Sequence, residues 1–329
     1  MVFNCKNCDG NMIYSPEKKS MFCPYCDSQG SQEKREDKAS DIAICPSCNG
    51  ELSLGEFDST AQCPYCDSYI ILDERVEGRY LPKFMIPFRL GRDTCKKAMR
   101  EKFKRHTFAP VDFLSEVRLN GMKGMYVPFW FYNYKTREHF QGEGTKVRSW
   151  NSGEDRYTET SYYNVVRDAD IDFEKLPADA SVKMPDDIMD LMAPYNYDEL
   201  EAFQPEYLSG FYAERYNMSA EAIESRARQR MEQNAKALMR TTYEGYSSVK
   251  PIHEQVETLE SSSDFGLLPV WKYDYRYKGQ DYPFYINGQS GKIVGTVPHS
   301  RSKVLVYSAT LWALLAIIMG VIVNLAVYL

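Results

Sequence analysis

The sequence predicts an α+β chain: two small four-cysteine ribbons, an aromatic-rich antiparallel-sheet body with amphipathic helices, and one C-terminal transmembrane helix. Three observations carry this reading. Eight of the nine cysteines fall in CxxC pairs at regular spacing, a Pro-x-Trp strand pattern occurs twice, and residues 304–329 hold no charge. The expected division is 1–40 and 41–78 for the two ribbons with their linkers, 79–303 for the body and 304–329 for the span.

Cys5-x2-Cys8 is followed by Cys23-x2-Cys26, and Cys45-x2-Cys48 by Cys63-x2-Cys66, with fourteen residues between the pairs each time. The period is forty residues, and Cys-Pro-Tyr-Cys-Asp-Ser recurs at 23–28 and 63–68, so the unit is duplicated. Two residues between thiols let both sulfurs bend onto one ion, and two such knuckles supply the four thiolates of a closed tetrahedral site. Each copy has too little apolar surface to fold alone, so bound metal is expected to supply stability. The expected ligands are Cys5, Cys8, Cys23 and Cys26 for one structural Zn²⁺, and Cys45, Cys48, Cys63 and Cys66 for the second. Iron and disulfides are the alternatives, and no ligand position is left open for catalysis. Gly10 and Gly50 are expected to turn the chain at positive φ. Polar residues 31–41 and 73–78 read as linkers. Cys95, left over in an amphipathic stretch (93–105) with Ala98, Met99 and Phe103, reads as a packed core thiol, a reactive one being the alternative.

In the body, Val127-Pro-Phe-Trp-Phe-Tyr-Asn-Tyr-Lys135 resembles Leu268-Pro-Val-Trp-Lys-Tyr-Asp-Tyr-Arg276, and both alternate as half-buried strands do. The second copy continues through 282–287, Gly288-Gln-Ser-Gly291 and 292–297, a β-meander with glycine turns. Residues 145–166 are expected to add short strands. Helices are expected at 185–192, 197–203 and 219–239; the last is capped by Ser219 and carries one stripe of Ile223, Ala227, Met231, Ala235 and Leu238.

Charge is divided by region. Residues 1–78 carry 7 Lys/Arg against 14 Asp/Glu, residues 79–148 carry 16 against 6, and residues 149–303 carry 17 against 26. Acidic ribbons argue against phosphate binding and for protein partners. The basic segment 92–105, with Lys96, Lys97, Arg100, Lys102, Lys104 and Arg105, either balances the acidic regions as a solvated face or meets anionic lipid or nucleic acid.

The uncharged tail of 26 residues would span roughly 39 Å as a helix, against a hydrocarbon core of ~30 Å. His299, Arg301 and Lys303 flank it on the body side, which places the body in the cytoplasm. Residues 1–10 show no secretory core, and paired thiols suit a reducing compartment. The expected location is the cytoplasmic membrane of a bacterium, with a single pass inserted after synthesis. Asn324 within the span offers a hydrogen bond to another membrane helix.

No catalytic constellation is recognisable. His106, His139, His253 and His299 lie in no ligand or nucleophile motif, and Gly288-x-x-Gly291-Lys292 lacks the spacing and hydroxyl of a phosphate loop. The expectation is a chain that is not an enzyme.

Tandem CPYC ribbons, Tyr126-Val-Pro-Phe-Trp130, Leu268-Pro-Val-Trp271, Asn287-Gly-Gln-Ser-Gly-Lys292 and a basic approach to a membrane helix together resemble the TFIIB-type zinc-ribbon membrane proteins of Gram-positive bacteria, in particular the YdjG-like group. Members are often labelled primosomal helicase-like, but the ATPase motifs such a label requires are absent here. The resemblance implies a membrane scaffold beside a second membrane protein, docking a cytoplasmic adaptor and a PspA-type envelope-stress protein. The function expected is thus a membrane-anchored zinc-ribbon adaptor that recruits cytoplasmic proteins, the alternative being a membrane-tethered nucleic-acid-binding regulator.

Overall fold

The structure, a computed structural model, describes residues 1–35 and 44–327. The first ribbon holds β1 (Val2–Cys5), β2 (Ile13–Ser15), β3 (Ser20–Phe22) and β4 (Gln32–Arg35); the second holds β5 (Thr60–Gln62) and β6 (Tyr69–Ile71). The body follows with β7 (Phe84–Met85), α1 (Arg92–Phe103), α2 (Glu116–Leu119), β8 (Lys123–Ser152), β9 (Asp155–Asp179), α3 (Asp186–Met192), β10 (Glu201–Ala202), β11 (Tyr212–Ala213), α4 (Ala220–Arg240), β12 (Ser248–Tyr277), β13 (Gln280–Asn287) and β14 (Ile293–Gly295). Helix α5 (Arg301–Val327) closes the described chain. The fold is the expected α+β arrangement of antiparallel sheet, helices, two four-cysteine groups and a long apolar helix.

The two Pro-x-Trp segments are neighbours. β8 and β12 pair antiparallel, with Val127 opposite Leu268 and Trp130 opposite Phe265. Each indole N–H leaves the sheet for a carbonyl of a covering segment: Trp130 Nε1 donates to Met218 O at 2.9 Å, and Trp271 Nε1 to Leu90 O at 2.8 Å. The meander after β12 is present as β12–β13–β14, its first turn carrying Lys278 and Gly279 at φ 51° and 83°. Asn287 secures the next turn. Its carbonyl accepts from the N–H groups of Gln289 and Ser290 at 2.9 Å each, and its amide donates to Met192 O at 3.1 Å. That Asn-Gly-x-x-Gly-Lys element therefore holds the loop after α3.

One sheet face takes Tyr126, Phe265, Leu267, Trp271, Tyr273, Phe284 and Ile286 into a core shared with α1 and the first ribbon. The other face takes Val127, Phe129, Phe131, Leu268 and Val270 under α3 and its flanks. Farther along the first face lies α4, with Ile223, Ala227, Met231 and Ala235 buried. Ser219 caps it as expected, its Oγ accepting from Ala222 N at 3.3 Å.

Four expectations are corrected. Residues 145–166 are not short strands: β8 runs 30 residues and β9 runs 25, joined by a two-residue turn with Gly153 at φ 64°. At ~3.3 Å per residue β8 is about 100 Å long. Beyond α3 the second face has no covering element among the described residues and is lined by cross-strand polar pairs: the ion pairs Lys135–Glu260 and Arg137–Asp170, and the contact of His139 with Asp168. Residues 197–203 form one 3₁₀ turn (Tyr197–Glu199) and then β10, which pairs with β7. Leu238 is exposed and Met239 takes the last buried place on α4, because a 3.6-residue period moves the stripe by one. Of residues 31–41, Gln32–Arg35 form β4 against β1; residues 36–41 lie outside the described residues.

Candidate metal centres

Four knuckles repeat one backbone design. In each, the N–H of the first cysteine donates to a carbonyl five residues on: Cys5 to Gly10, Cys23 to Ser28, Cys45 to Gly50 and Cys63 to Ser68, at 2.8–2.9 Å. The N–H four residues on donates back to the carbonyl of that cysteine, at 2.8–3.0 Å. This geometry demands a left-handed residue, which is Asp9, Asp27, Asn49 and Asp67 at φ 58–60°. Asp and Asn tolerate that region through local hydrogen bonding. Gly10 and Gly50 are not at positive φ, which corrects the reading of their role. Each lies beneath a tyrosine of the opposite knuckle: a Cβ on Gly10 would come within 2.4 Å of Tyr25 Cδ2, and one on Gly50 within 2.4 Å of Tyr65 Cδ2.

The knuckles bring together all eight cysteines singled out by spacing. Cys5, Cys8, Cys23 and Cys26 form one group, Cys45, Cys48, Cys63 and Cys66 the other, with all sulfurs of a group within 4.8 Å of one another. The nearest pairs are Cys5–Cys26 at 3.6 Å and Cys8–Cys23 at 3.5 Å, then Cys45–Cys66 and Cys48–Cys63 at 3.6 Å. Four sulfurs at ~2.3 Å from a tetrahedral ion stand ~3.8 Å apart, so both groups fit one ion each. The first cysteine of each pair is buried, while Cys8, Cys26 and Cys48 are exposed.

Thiol protonation is uneven. Burial raises Cys5, yet hydrogen bonds with the Ser31 hydroxyl and the N–H groups of Asn7 and Cys8 more than offset it and bring it to about 6. Against the lowering pull of the Gly10 N–H, contact with Cys26 and Cys23 pushes Cys8 up to about 12. Four crowded thiols cannot all ionise without a cation between them, which is what a metal supplies.

The ribbons are seated on the body. Cys5, Cys23, Met12 and Tyr14 share a core with Met85, Phe88 and Tyr126. Ser209 Oγ donates to Met12 O at 2.6 Å, Tyr14 N–H to Ser209 O at 2.9 Å, and Ser59 N–H to Ala213 O at 2.7 Å. The ribbons also touch each other, since Val2 joins Cys45, Leu52, Cys63 and Ile70 in one cluster. Residues 73–78 carry a 3₁₀ turn at Asp73–Arg75, with Val76 buried in the main core.

The other singled-out residues divide. Cys95 is fully buried, and desolvation together with the Glu17 charge pushes its thiol up to about 12. The α1 cations do not form one free face. Lys96 is buried and bonds Glu116 at 3.0 Å and Asn120 at 2.6 Å, Arg100 pairs with the same Glu116, Lys104 pairs with Glu101, and Lys102 donates to Ile293 O. Lys97 and Arg105 are exposed and hold no ion pair among the described residues. His139 meets Asp168 at 2.6 Å and His253 at a ring distance of 6.0 Å, while His106 and His299 lie near the start of α5. Within α5, Arg301–Asn324 is long and apolar enough to cross a membrane, and none of it is buried in protein.

Sequence reasoning missed the end of the β8–β9 hairpin. Trp150 stacks on Tyr157 at 5.8 Å with the Arg148 guanidinium over the indole, and Lys146 lies over both Tyr163 and Tyr246. Lys146, Arg148 and Trp150 follow one another on that face of β8 opposite Tyr157 and Glu159 of β9, and only the uncovered end of a long strand leaves the rings exposed.

No family model matches the chain, and no solved structure matches it. It is 38% identical over 312 residues to the uncharacterized protein YdjG of Bacillus subtilis (strain 168), covering 92% of this chain and 91% of that one. At that identity over nearly the full length of both, the chain belongs to the family of YdjG.

Proposed function

We propose that the chain is a membrane-anchored adaptor: two zinc-clamped ribbons and a sheet body held at the cytoplasmic face by α5, recruiting cytoplasmic proteins without catalysing a reaction. Zn²⁺ is the ion that four thiolates in a closed tetrahedron favour, and it would act here as a structural clamp. The eight cysteines hold it, and the Ser28, Ser31 and Ser68 hydroxyls steady Cys26, Cys5 and Cys66. Arg301 and Lys303 at the head of α5 support a cytoplasmic body.

The observation that carries the adaptor reading is the uncovered end of the sheet arm. Beyond α4 and the loop after it, which lays Tyr246 against Gly144 and Tyr163, the face bearing Trp150 and Tyr157 has no covering element among the described residues, and Trp150 and Tyr157 are 43% and 47% exposed. Exposed aromatics clustered with Lys146 and Arg148 make a surface suited to an acidic protein partner. The resemblance to YdjG-like scaffolds suggests who that partner is: a cytoplasmic adaptor or a PspA-type envelope-stress protein, with a second membrane protein alongside α5 and Asn324.

The test is a crosslinked pull-down from native membranes comparing the intact chain with Trp150→Ser/Tyr157→Ser. Specific proteins lost in the variant support the adaptor. Nucleic acid as the main captured species would replace it with a tethered regulator.

A further inference from the structure

Of the two cations of the basic segment that hold no ion pair among the described residues, Lys97 and Arg105, Arg105 lies at its C-terminal end, where the body meets α5. Residues 105–109 fold back on residues 297–299 and enclose a cleft of ≈ 210 Å³ lined by Arg105, His106, Thr107, Phe108 and His299, with no carboxylate in its wall. Two contacts fix its height. Ser300 N–H donates to Phe108 O at 2.7 Å, and the Phe108 ring stands edge-on to Tyr307 at 5.4 Å. Tyr307 is six residues past Arg301, so at ~1.5 Å per residue Phe108 reaches about 9 Å along α5 from its first residue. If α5 spans a bilayer, Phe108 and Tyr307 lie at the water–hydrocarbon boundary, and the cleft above them lies among the head groups.

Arg105 lines this cleft, Arg301 and Lys303 follow its lining residue His299 by two and four residues at the head of α5, and none of the three holds an ion pair among the described residues. The nearest acid on α1, Glu101, is already engaged with Lys104. His106 is held by its ring contact with Phe103 at 5.3 Å. A planar guanidinium and two imidazoles lining a polar cleft, with Arg301 and Lys303 next in the chain, match a phosphodiester, which arginine grips through paired hydrogen bonds.

We propose that this cleft is a binding site for the phosphate of an anionic phospholipid of the membrane that holds α5, fixing the body's orientation on the bilayer. The inference rests on the reading of α5 as a membrane span, and its source is the bilayer because Phe108 and Tyr307 set the cleft at head-group depth.

The test uses the full chain purified in detergent, with bound lipid counted by native mass spectrometry. Phosphatidylglycerol should bind in preference to phosphatidylcholine. Each of Arg105→Gln and Arg301→Gln should cut the preference about fivefold, and Lys97→Gln, on the exposed side of α1, should leave it unchanged. Equal binding of the two lipids, or a preference that survives Arg105→Gln/Arg301→Gln, would overturn the site. Displacement of phosphatidylglycerol by inorganic phosphate at equal concentration would overturn the lipid as the source. Alkaline carbonate extraction separates the two readings: a chain released from cell membranes defeats the span and the site together, whereas a retained chain without lipid preference defeats the site alone.

Discussion

The ring of Tyr25 rests on Gly10 so closely that a Cβ at residue 10 would lie 2.4 Å from Tyr25 Cδ2 and 3.2 Å from its Cγ, and Tyr65 repeats the contact on Gly50. The clash reaches the root of the ring, so the side chain cannot relieve it by swinging its tip. Gly10→Ala is expected to destabilise the first ribbon by about 1–3 kcal/mol, the usual cost of overpacking. Thermal unfolding of the metal-loaded chain measures it. Gly10→Ala/Tyr25→Ala should recover most of the loss; a double variant no better than the single one would assign the loss to something other than the ring.

Metal content gives a second expectation. The intact chain should carry two zinc ions, and Cys63→Ser should carry one, as counted by elemental mass spectrometry. Removal of both ions by a chelator should also loosen the body, because Cys5 and Cys23 belong to the core that holds Phe88 and Tyr126. Near-ultraviolet circular dichroism should therefore lose body tyrosine and tryptophan signal, not only ribbon signal.

Glu138 predicts a pH dependence. It lies under α4, fully buried, and neither carboxylate oxygen has a hydrogen-bond partner among the described residues. Burial and the Glu254 charge raise its pKa, against Lys236 and Arg240; the Tyr243 hydroxyl, also without a hydrogen-bond partner among the described residues, lies in the same group. A carboxyl that holds its proton more tightly when folded contributes its full stability below the unfolded value of about 4.3 and loses it as the pH rises through the folded value. Glu138→Gln should thus raise the melting temperature relative to the intact chain, with a gap that widens as the pH rises above the unfolded value and levels off once the folded carboxyl has ionised. A gap independent of pH would mean that Glu138 carries no charge cost.

Seating of the first ribbon depends on Gly210, which sits at φ 96° and where an added Cβ would lie 3.0 Å from Ile13 Cβ. Gly279, at φ 83°, has open space around it. Both alanine variants incur backbone strain of about 1–3 kcal/mol. Gly210→Ala should cost more, and the excess, read from denaturant unfolding, measures the ribbon contact. Equal losses would show that Ile13 gives way freely.

What the sequence made legible is what local spacing determines. The four knuckles, the α4 stripe from Ile223 to Ala235, the β12–β14 meander and the apolar tail each follow from residues near one another in the chain. The long arm was hidden because Gly142 and Gly144 resemble strand breakers. In the fold they lie within β8, where a Cβ on Gly142 would meet Lys250 O at 2.6 Å and one on Gly144 would meet Val165 and Tyr246 at 2.7 Å. These glycines admit neighbouring strands and rings; they do not turn the chain. The sequence left two readings of the basic segment open for a related reason: Glu116 and Asn120, more than a helix length away in sequence, return to engage Lys96. Only tertiary structure separates its paired cations from Arg105, and only tertiary structure leaves Trp150 and Tyr157 uncovered.

The most direct test of the adaptor is site-specific photocrosslinking in living cells, with a photoreactive residue at Trp150 and, as a control, at Lys278 in the turn between β12 and β13. The account predicts discrete protein adducts from position 150 that are absent from position 278. No adduct from position 150, or adducts to nucleic acid in place of protein, would contradict it.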